Sequence, residues 1–116
     1  MRRVAASMVF VNREEAYTNH IVEIYGSRVV NHYALKSELA MTEWLGGIIV
    51  LTHADDIDLE GVQSVGDFFS RIEKAEPPQS RYLKAYHLKN VDIATRTLTP
   101  NSRIYLIEED GNSFIE

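Results

Sequence analysis

The N-terminal segment RRVAASMVFV constrains the fold more than any other stretch, because apolar residues occupy both alternations of a strand. One alternation holds Val4, Ala6, Met8 and Phe10, and the other holds Ala5, Val9 and Val11. A strand with one wet face alternates apolar and polar residues, whereas this pattern is typical of a strand buried on two faces. The segment therefore predicts a β-rich core with cover on both sides of this strand.

The rest of the first half continues in strands. After a polar connection, NREEAY, the segment NHIVEIYGSRVVNHYAL predicts a hairpin with a tight two-residue turn at Gly26-Ser27. KSELAMT contains good helix formers but is short, so it is interpreted as a loop or a single turn. EWLGGIIVLT then predicts a fourth strand, in which the glycine pair indicates a bulge or a close approach of another backbone.

One amphipathic helix is predicted at about residues 64–75. Val65, Phe68, Phe69 and Ile72 follow the i, i+3, i+4, i+7 spacing of a single apolar stripe. Ser64 can cap the start together with Asp67, and the Pro77-Pro78 pair is expected to end the helix. Phe68, Phe69 and Ile72 should therefore be buried, with Arg71 and Glu73 facing water.

The last third returns to strands. RYLKAYHLKNVDIATRTL predicts one long or two short strands, and RIYLIEE predicts another that pairs with NSFIE around the turn signal Asp110-Gly111. Residues 1–116 form a single domain in this interpretation. The predicted class is α+β and mostly β: a small sheet or sandwich-like domain of about six or seven strands with one helix.

Composition narrows the possible functions. The 116 residues include 45% hydrophobic residues, enough for a core without metal or disulfide, and the absence of cysteine excludes thiolate zinc sites and cysteine nucleophiles. A formal net charge of −5 without a basic stripe argues against nucleic acid and against an anionic membrane surface. MRRVAASMVFV has the outline of a signal peptide, but its apolar run is short and leads into strand-like sequence. We expect a soluble, cytoplasmic protein without a cofactor.

The strongest candidate metal motif is the acidic stretch DIDLEGVQSVGD at residues 56–67. Counting from Asp56 as the first position of a calcium loop, Asp58, Glu60 and Asp67 fall at the third, fifth and twelfth positions, with Gly61 at the turn. The preceding GGIIVLT is a strand pattern where a calcium loop has a helix. The alternative interpretation is an acidic loop followed by a capped helix, since carboxylates near a helix N-terminus are stabilised by its dipole.

The four histidines offer a second kind of candidate site. His20 and His32 lie at similar distances from the predicted turn, so they can meet across the hairpin, although two histidines alone make a weak metal site. His53 ends a strand beside Asp55 and Asp56, where scattered polar residues could line a small-ligand or hydrolase-like pocket. No nucleotide-binding glycine motif or serine-nucleophile motif is present in the sequence, so no catalytic residue is predicted.

The first fifty residues resemble a known enzyme segment. The order RRVAASMVFV, NHIVEIYGSRVV, TEWLGGIIV is similar to the N-terminal composite β segment of amidohydrolase-superfamily enzymes. In that family the last strand continues through Pro-Gly to a His-x-His metal pair that opens a catalytic barrel. Here Gly47-Ile48-Ile49-Val50 matches the strand, but Leu51-Thr52-His53 follows and no His-x-His is present. The resemblance implies a β domain without the metal-binding barrel, which needs roughly 200 residues.

The expected function is therefore association rather than catalysis. The terminal segments RRVAASMVFV and SRIYLIEEDGNSFIE are apolar, prone to form strands, and free of lysine and proline. Strands at sheet edges without such blunting residues pair readily with other chains. We expect a non-enzymatic interaction or oligomerisation domain whose terminal strands lie at sheet edges, covered by a second copy or by a protein partner. The alternatives are a ligand or hydrolase-like site near His53 and a calcium loop at Asp56–Asp67.

Overall fold

A computed structural model describes residues 1–36, 41–54, 56–75 and 81–115. In these ranges eight strands form one mixed sheet, on which a single α-helix packs. The elements in chain order are β1 (Arg2–Asn12), β2 (Glu15–Tyr25), β3 (Arg28–Ala34), β4 (Thr42–Trp44), β5 (Ile48–Thr52), α1 (Val65–Lys74), β6 (Lys84–Lys89), β7 (Arg103–Glu108) and β8 (Gly111–Phe114). The mostly β, α+β class predicted from the sequence is confirmed.

The sheet has the strand order β3-β2-β1-β5-β6-β7-β8, with β4 also paired to β1. β1 runs antiparallel to β2 and parallel to both β4 and β5, while β5 through β8 alternate direction. The expectation that RRVAASMVFV forms a sheet edge is therefore wrong. β1 lies in the middle of the sheet, which explains why it is apolar on both alternations.

The segment EWLGGIIVLT forms two strands instead of one. Its glycine pair separates β4 from β5, and Gly46 and Gly47 have φ values of +69° and +60°. A Cβ added at Gly47 would lie 2.8 Å from the carbonyl oxygen of Leu88, which is too close for any side chain. The predicted close backbone approach is confirmed, and it lets both short strands pair with β1.

Both predicted hairpins form, but the turn of the second lies one residue earlier than predicted. Tyr25 pairs with Arg28 around Gly26-Ser27, and Gly26 has the positive φ of +66° that a tight turn requires. At the C-terminus Glu108 pairs with Gly111, so the loop residues are 109 and 110 rather than Asp110 and Gly111. NREEAY is only partly a connection, because β2 already begins at Glu15.

The predicted helix is confirmed almost to its boundaries. Ser64 is the N-cap, with its Oγ accepting the N–H of Asp67 at 3.0 Å, and α1 ends at Lys74. Phe68 and Phe69 are buried and Glu73 is exposed, as expected. Ile72 is only partly buried, and Arg71, which was expected to face water, is only partly exposed. Residues 37–40 of KSELAMT and the Pro77-Pro78 stop lie outside the described residues.

The sheet buries apolar side chains on both of its faces. We call the first the helix-covered face, whose buried residues are Phe10, Ile48, Val50, Leu59, Val65, Phe68, Phe69, Tyr86, Leu88 and Ile104. We call the second the hairpin-covered face, whose buried residues are Val4, Ala6, Val9, Val22, Ile24, Ile49, Leu51, Ala85 and Ile107.

The second face is closed by the curl of the sheet itself. The β2–β3 hairpin bends over towards β6, where the N–H of Val29 donates to the carbonyl of Leu83 at 2.7 Å. The N–H of Glu109 donates to the carbonyl of Gly26 at 2.7 Å and fixes the tip of the same hairpin. No helix in the described ranges is both long and apolar enough to cross a membrane.

Candidate functional site

Two carboxylates of the acidic loop, those of Asp58 and Asp67, bind groups in the loop and in α1. One oxygen of Asp58 accepts the N–H of Glu60 at 3.0 Å, and the other lies 3.4 Å from the guanidinium of Arg71. Asp67 accepts the N–H of Gln63 at 3.0 Å and completes the cap of α1. Two of the four proposed calcium ligands are thus already engaged in holding the helix start.

Asp56 and Glu60, the other two proposed calcium ligands, do not converge with Asp58 and Asp67. Asp56 has a φ of +51° and is exposed, and Glu60 is exposed as well. Among the residues that the structure describes, no three histidine, aspartate or glutamate side chains converge closely enough to hold a metal ion. A calcium site at Asp56–Asp67 stays a prediction, and the observed contacts are those of a helix-capping loop.

His53 lies at the rim of a small cavity of about 300 Å³. The cavity is lined by Thr52 and His53 and by Arg13 and Glu73, whose charged groups are 3.0 Å apart. Apolar side chains from both sheet and helix form its floor. Asp56 is not among the lining residues, and Asp55 lies outside the described residues.

The two hairpin histidines do meet. Nε2 of His20 is 2.9 Å from Nδ1 of His32, and the ring of Tyr17 stacks on His20 with the centroids 4.7 Å apart. His20 is buried on β2, opposite Ala6 of the hairpin-covered face. Burial lowers the pKa of His20 below its ordinary value, and the nearby His32 lowers it further.

The tautomers of this pair argue against metal binding. Nδ1 of His20 is buried and has no hydrogen-bond partner among the described residues. The neutral ring is best accommodated with its hydrogen on Nε2, donating to His32, because an unpaired buried N–H is strongly unfavourable. A metal at Nε2 would force the hydrogen onto Nδ1, whereas histidine ligands normally donate that N–H to a partner.

A buried carboxylate on β2 escaped the sequence interpretation. Oε2 of Glu23 accepts a hydrogen bond from Nε of Arg3 at 2.7 Å and another from the hydroxyl of Tyr33 at 2.8 Å. The bond from Arg3, followed by that from Tyr33, lowers the pKa of Glu23. A lone glutamate in the apolar run HIVEIY was the available signal. Because its partners lie on β1 and β3, Glu23 ties these two strands to β2.

The two outer strands of the sheet differ in how they are closed. β3 has an extra residue, Val30, at a register shift, and its Val29 N–H is used by Leu83. The guanidinium of Arg28 covers the start of β3 and lies 5.5 Å and 5.2 Å from the ring centroids of Tyr25 and Tyr82. Bulges and cations of this kind are the usual protection of a sheet edge.

β8 lacks the register shift and the closing backbone bond of β3 in the described residues, although Arg2 donates to Oδ1 of Asn112 at 2.6 Å. All four of its residues are exposed, no charged residue occurs within it, and Phe114 is 62% exposed. The N–H of Ile115 donates to the carbonyl of Ile104, which sets the alternation of the β7–β8 ladder. Gly111 and Ser113 therefore point their backbone groups at β7, while Asn112 and Phe114 point theirs outwards. No strand in the described residues pairs with that outer side.

A groove of about 730 Å³ adjoins the C-terminal end of β8. Its lining includes Phe114 and the apolar side chains of Val62, Leu98 and Pro100. Among the described residues that line the groove, Arg103 is the only charged one, and its guanidinium is bound to the carbonyls of Pro100 and Ser102. The open edge and an apolar groove thus lie side by side.

Comparison with known proteins finds no matching family, no matching characterised relative and no matching solved structure. The resemblance of residues 1–50 to the amidohydrolase β segment consequently stays a prediction.

Proposed function

We propose that this chain is a non-enzymatic association domain that binds an extended strand along the outer side of β8. The observation that carries the proposal is the outward backbone of Asn112 and Phe114 on a strand that contains no charged residue, proline or bulge. An extended segment added there would extend the sheet and satisfy these backbone groups, the mode known as β-augmentation.

The contrast with β3 supports the choice of edge. An exposed row of N–H and C=O groups is a template for pairing, and proteins normally block it. At the start of β3, Val29 donates to Leu83, and the extra residue Val30 and the guanidinium of Arg28 lie in the same part of the strand. Since this chain protects one edge in several ways and leaves the other open, the open edge is the one proposed to have a partner.

The adjoining groove supplies a basis for selectivity. Backbone pairing along an edge gives affinity but little discrimination, which comes from pockets that receive alternate side chains. A strand on β8 that continues past Phe114 reaches the apolar surface of Val62 and Leu98. The groove can therefore discriminate between partner strands that extend past Phe114 and strands that end there.

Replacing a single residue of the β8 edge with proline tests this function. Short extended peptides are selected by surface display against the folded protein, and their affinities are then measured for Asn112→Pro. This variant removes an outward N–H and spares the ladder to β7. It also removes the Oδ1 that accepts from Arg2 at 2.6 Å, so Asn112→Ala, which removes that bond alone, should bind normally. We expect the selected peptides to bind at least about tenfold more weakly to Asn112→Pro. Ala34→Pro, which removes an outward N–H from β3, is the matched control and should bind normally. Peptides that bind both proline variants equally would show that β8 is not the docking edge.

The cavity beside His53 supports a second candidate function, the binding of a small polar molecule. The Arg13–Glu73 ion pair and the imidazole of His53 offer polar groups that such a molecule could contact. Screening of small polar compounds by nuclear magnetic resonance tests it. Amide shifts confined to Thr52, His53 and Leu83, and abolished in His53→Gln, would favour this candidate over the association domain.

The cytoplasm is the proposed compartment. A chain without cysteine gains nothing from an oxidising environment, because it has no disulfide to form. Fractionation of cells expressing the tagged full chain tests this part of the proposal, and recovery outside the cytoplasmic fraction would contradict it.

A further inference from the structure

We infer that the segment bound along β8 is β8 of a second copy, in antiparallel orientation with Ser113 of each copy at the two-fold axis. This inference rests on the proposed function, because it identifies the partner of the same edge. It follows from three properties of the described strand: the direction of its backbone groups, the sizes of its side chains and the position of its charges.

The backbone allows only some registers. Residues whose groups point outwards must face each other, and within β8 these are Asn112 and Phe114. Placing Ser113 opposite Ser113 of the second copy brings Asn112 opposite Phe114, twice by symmetry. This register uses both outward residues of each strand, so every outward N–H and C=O of β8 finds a partner.

Side-chain sizes fit the same register. Phe114, which is 62% exposed, lies opposite the small Asn112 of the second copy. Ile115, which is 38% exposed, lies opposite Gly111, and a Cβ added at Gly111 would meet no atom within 4 Å. Ser113 lies opposite its own copy. Each bulky residue thus faces a small one, which lets the two strands approach without a clash.

The acidic turn disfavours the parallel arrangement and the antiparallel register nearer the turn. Glu108, Glu109 and Asp110 precede β8 directly. A parallel pair would bring the two acidic turns together, whereas the antiparallel pair places them at opposite ends of the new interface, where repulsion is weakest. Sliding the antiparallel pair by two residues towards the turn would put Phe114 against Asp110 and Ile115 against Glu109.

The first experiment measures the mass of the full chain by light scattering, at concentrations on the order of tens of micromolar. We expect a dimer that dissociates on dilution. Asn112→Pro should raise the dissociation constant about tenfold or more, because symmetry removes the same N–H from both copies. Ala34→Pro at the other edge should leave the dissociation constant unchanged.

The second experiment tests the register. The natural chain has no cysteine, so a single introduced thiol can form a disulfide only with another copy. In the inferred register the two positions 113 form a non-hydrogen-bonded pair with Cα atoms about 4.5 Å apart, within the range of a disulfide. Ser113→Cys should therefore cross-link fully with oxidised glutathione, which is reduced as the disulfide forms. Val30→Cys, exposed on β3, should remain monomeric under denaturing conditions.

The outcomes separate this inference from the proposed function. A monomeric protein whose Ser113→Cys variant does not cross-link overturns the second copy as partner. If peptide binding still depends on Asn112, the edge function then stands alone. A dimer that tolerates Asn112→Pro overturns the inference, since the contact lies elsewhere, and the peptide measurement decides the edge function separately. A dimer that cross-links through another edge residue, but not through position 113, overturns the register.

Discussion

The two faces of the sheet are closed by different means. On the helix-covered face, α1 packs Phe68 and Phe69 against aromatic and aliphatic strand residues, with Phe10 and Phe69 in edge-to-face contact at 5.4 Å. On the hairpin-covered face, the sheet folds over itself, and two buried histidines, His20 and His87, lie opposite its core residues Ala6 and Ile49.

The difference follows from how backbone groups are satisfied. A helix satisfies its own hydrogen bonds and can cover a sheet with apolar side chains alone. A strand that closes over a sheet brings edge groups and polar side chains with it, and these need partners. His87 accordingly donates from Nε2 to the carbonyl of Gly46 at 3.1 Å, and His20 pairs with His32. We therefore expect the helix-covered face to depend on packing volume and the hairpin-covered face to depend also on pH.

The largest expected effect is the loss of packing in Phe68→Ala. Phe68 is fully buried, so truncation should lower the free energy of unfolding by about 3–5 kcal/mol, measured by urea titration. Ile24→Ala on the hairpin-covered face is the matched control, with an expected loss of about 2–5 kcal/mol. A single transition for both variants would show that the two faces unfold together. Losses below about 1 kcal/mol in both Phe68→Ala and Phe69→Ala would remove the helix from the core.

A smaller effect is expected at the glycine pair beside His87. Gly47→Ala adds a Cβ 2.8 Å from the carbonyl of Leu88 at a φ of +60°, so it combines a steric clash with an unfavourable backbone conformation. We expect a loss of about 2 kcal/mol or more. Gly46→Ala has a similar φ of +69° but meets nothing closer than 3.6 Å, so it should lose only about 1 kcal/mol. Equal losses would refute the close approach to Leu88.

The pH dependence tests the polar character of the hairpin-covered face. Burial is the main cause that lowers the pKa of both His87 and His20 below 6.5, so the unfolded chain binds more protons than the folded protein as the pH falls through that value. The stability that neutral histidines contribute is complete above about pH 6.5 and declines below it. We expect a lower urea midpoint at pH 5.5 than at pH 7.5.

Between pH 5.5 and pH 7.5 the change in stability is expected to come from the histidines rather than from Glu23. The pKa of Glu23 is lowered by its bonds from Arg3 and Tyr33, so its contribution is lost only below its unfolded value of about 4.5. His87→Gln keeps a donor for Gly46 and removes the titrating group, so its midpoint should change less between the two pH values. An equally large change in this variant would assign the pH dependence to other groups.

The sequence predicts elements that depend on neighbouring residues better than it predicts which distant strands pair. The helix follows from the spacing of its apolar residues and from Ser64, and the first hairpin follows from Gly26-Ser27, because these depend on neighbours in the chain. The central position of β1 depends on pairing with β4 and β5, tens of residues away, and its terminal place in the chain suggested an edge instead.

The polar contacts illustrate the same limit. His20 and His32 were expected to meet because a single turn separates them, and they do. The partners of Glu23 come from two other strands, so no pattern within β2 identifies them. The acidic residues of the loop were visible in the sequence, but their use in capping α1 and in binding Arg71 depends on where the helix lies.

A small effect is expected at the start of the helix. The Oγ of Ser64 accepts the N–H of Asp67, and Ser64→Ala should lower the free energy of unfolding by about 1 kcal/mol. Ser70→Ala is the matched control, since its hydroxyl bonds only to the carbonyl of Gly66 and to the exposed Arg13, and should change stability by less than about 0.5 kcal/mol. If both variants behave alike, the cap contributes nothing to the helix-covered face.

The smallest expected effect is that of calcium, which would make the helix-covered face depend on an ion if the acidic loop were a site. Asp58 and Asp67 already hold Arg71 and the helix cap, so binding would have to break contacts that stabilise α1. We expect no calcium affinity tighter than about millimolar by calorimetry, and the same unfolding midpoint with and without a chelator. A micromolar affinity that disappears in Asp56→Ala but persists in Glu14→Ala, an acidic control outside the loop, would establish the site. The stability of the helix-covered face would then depend on calcium as well as on packing.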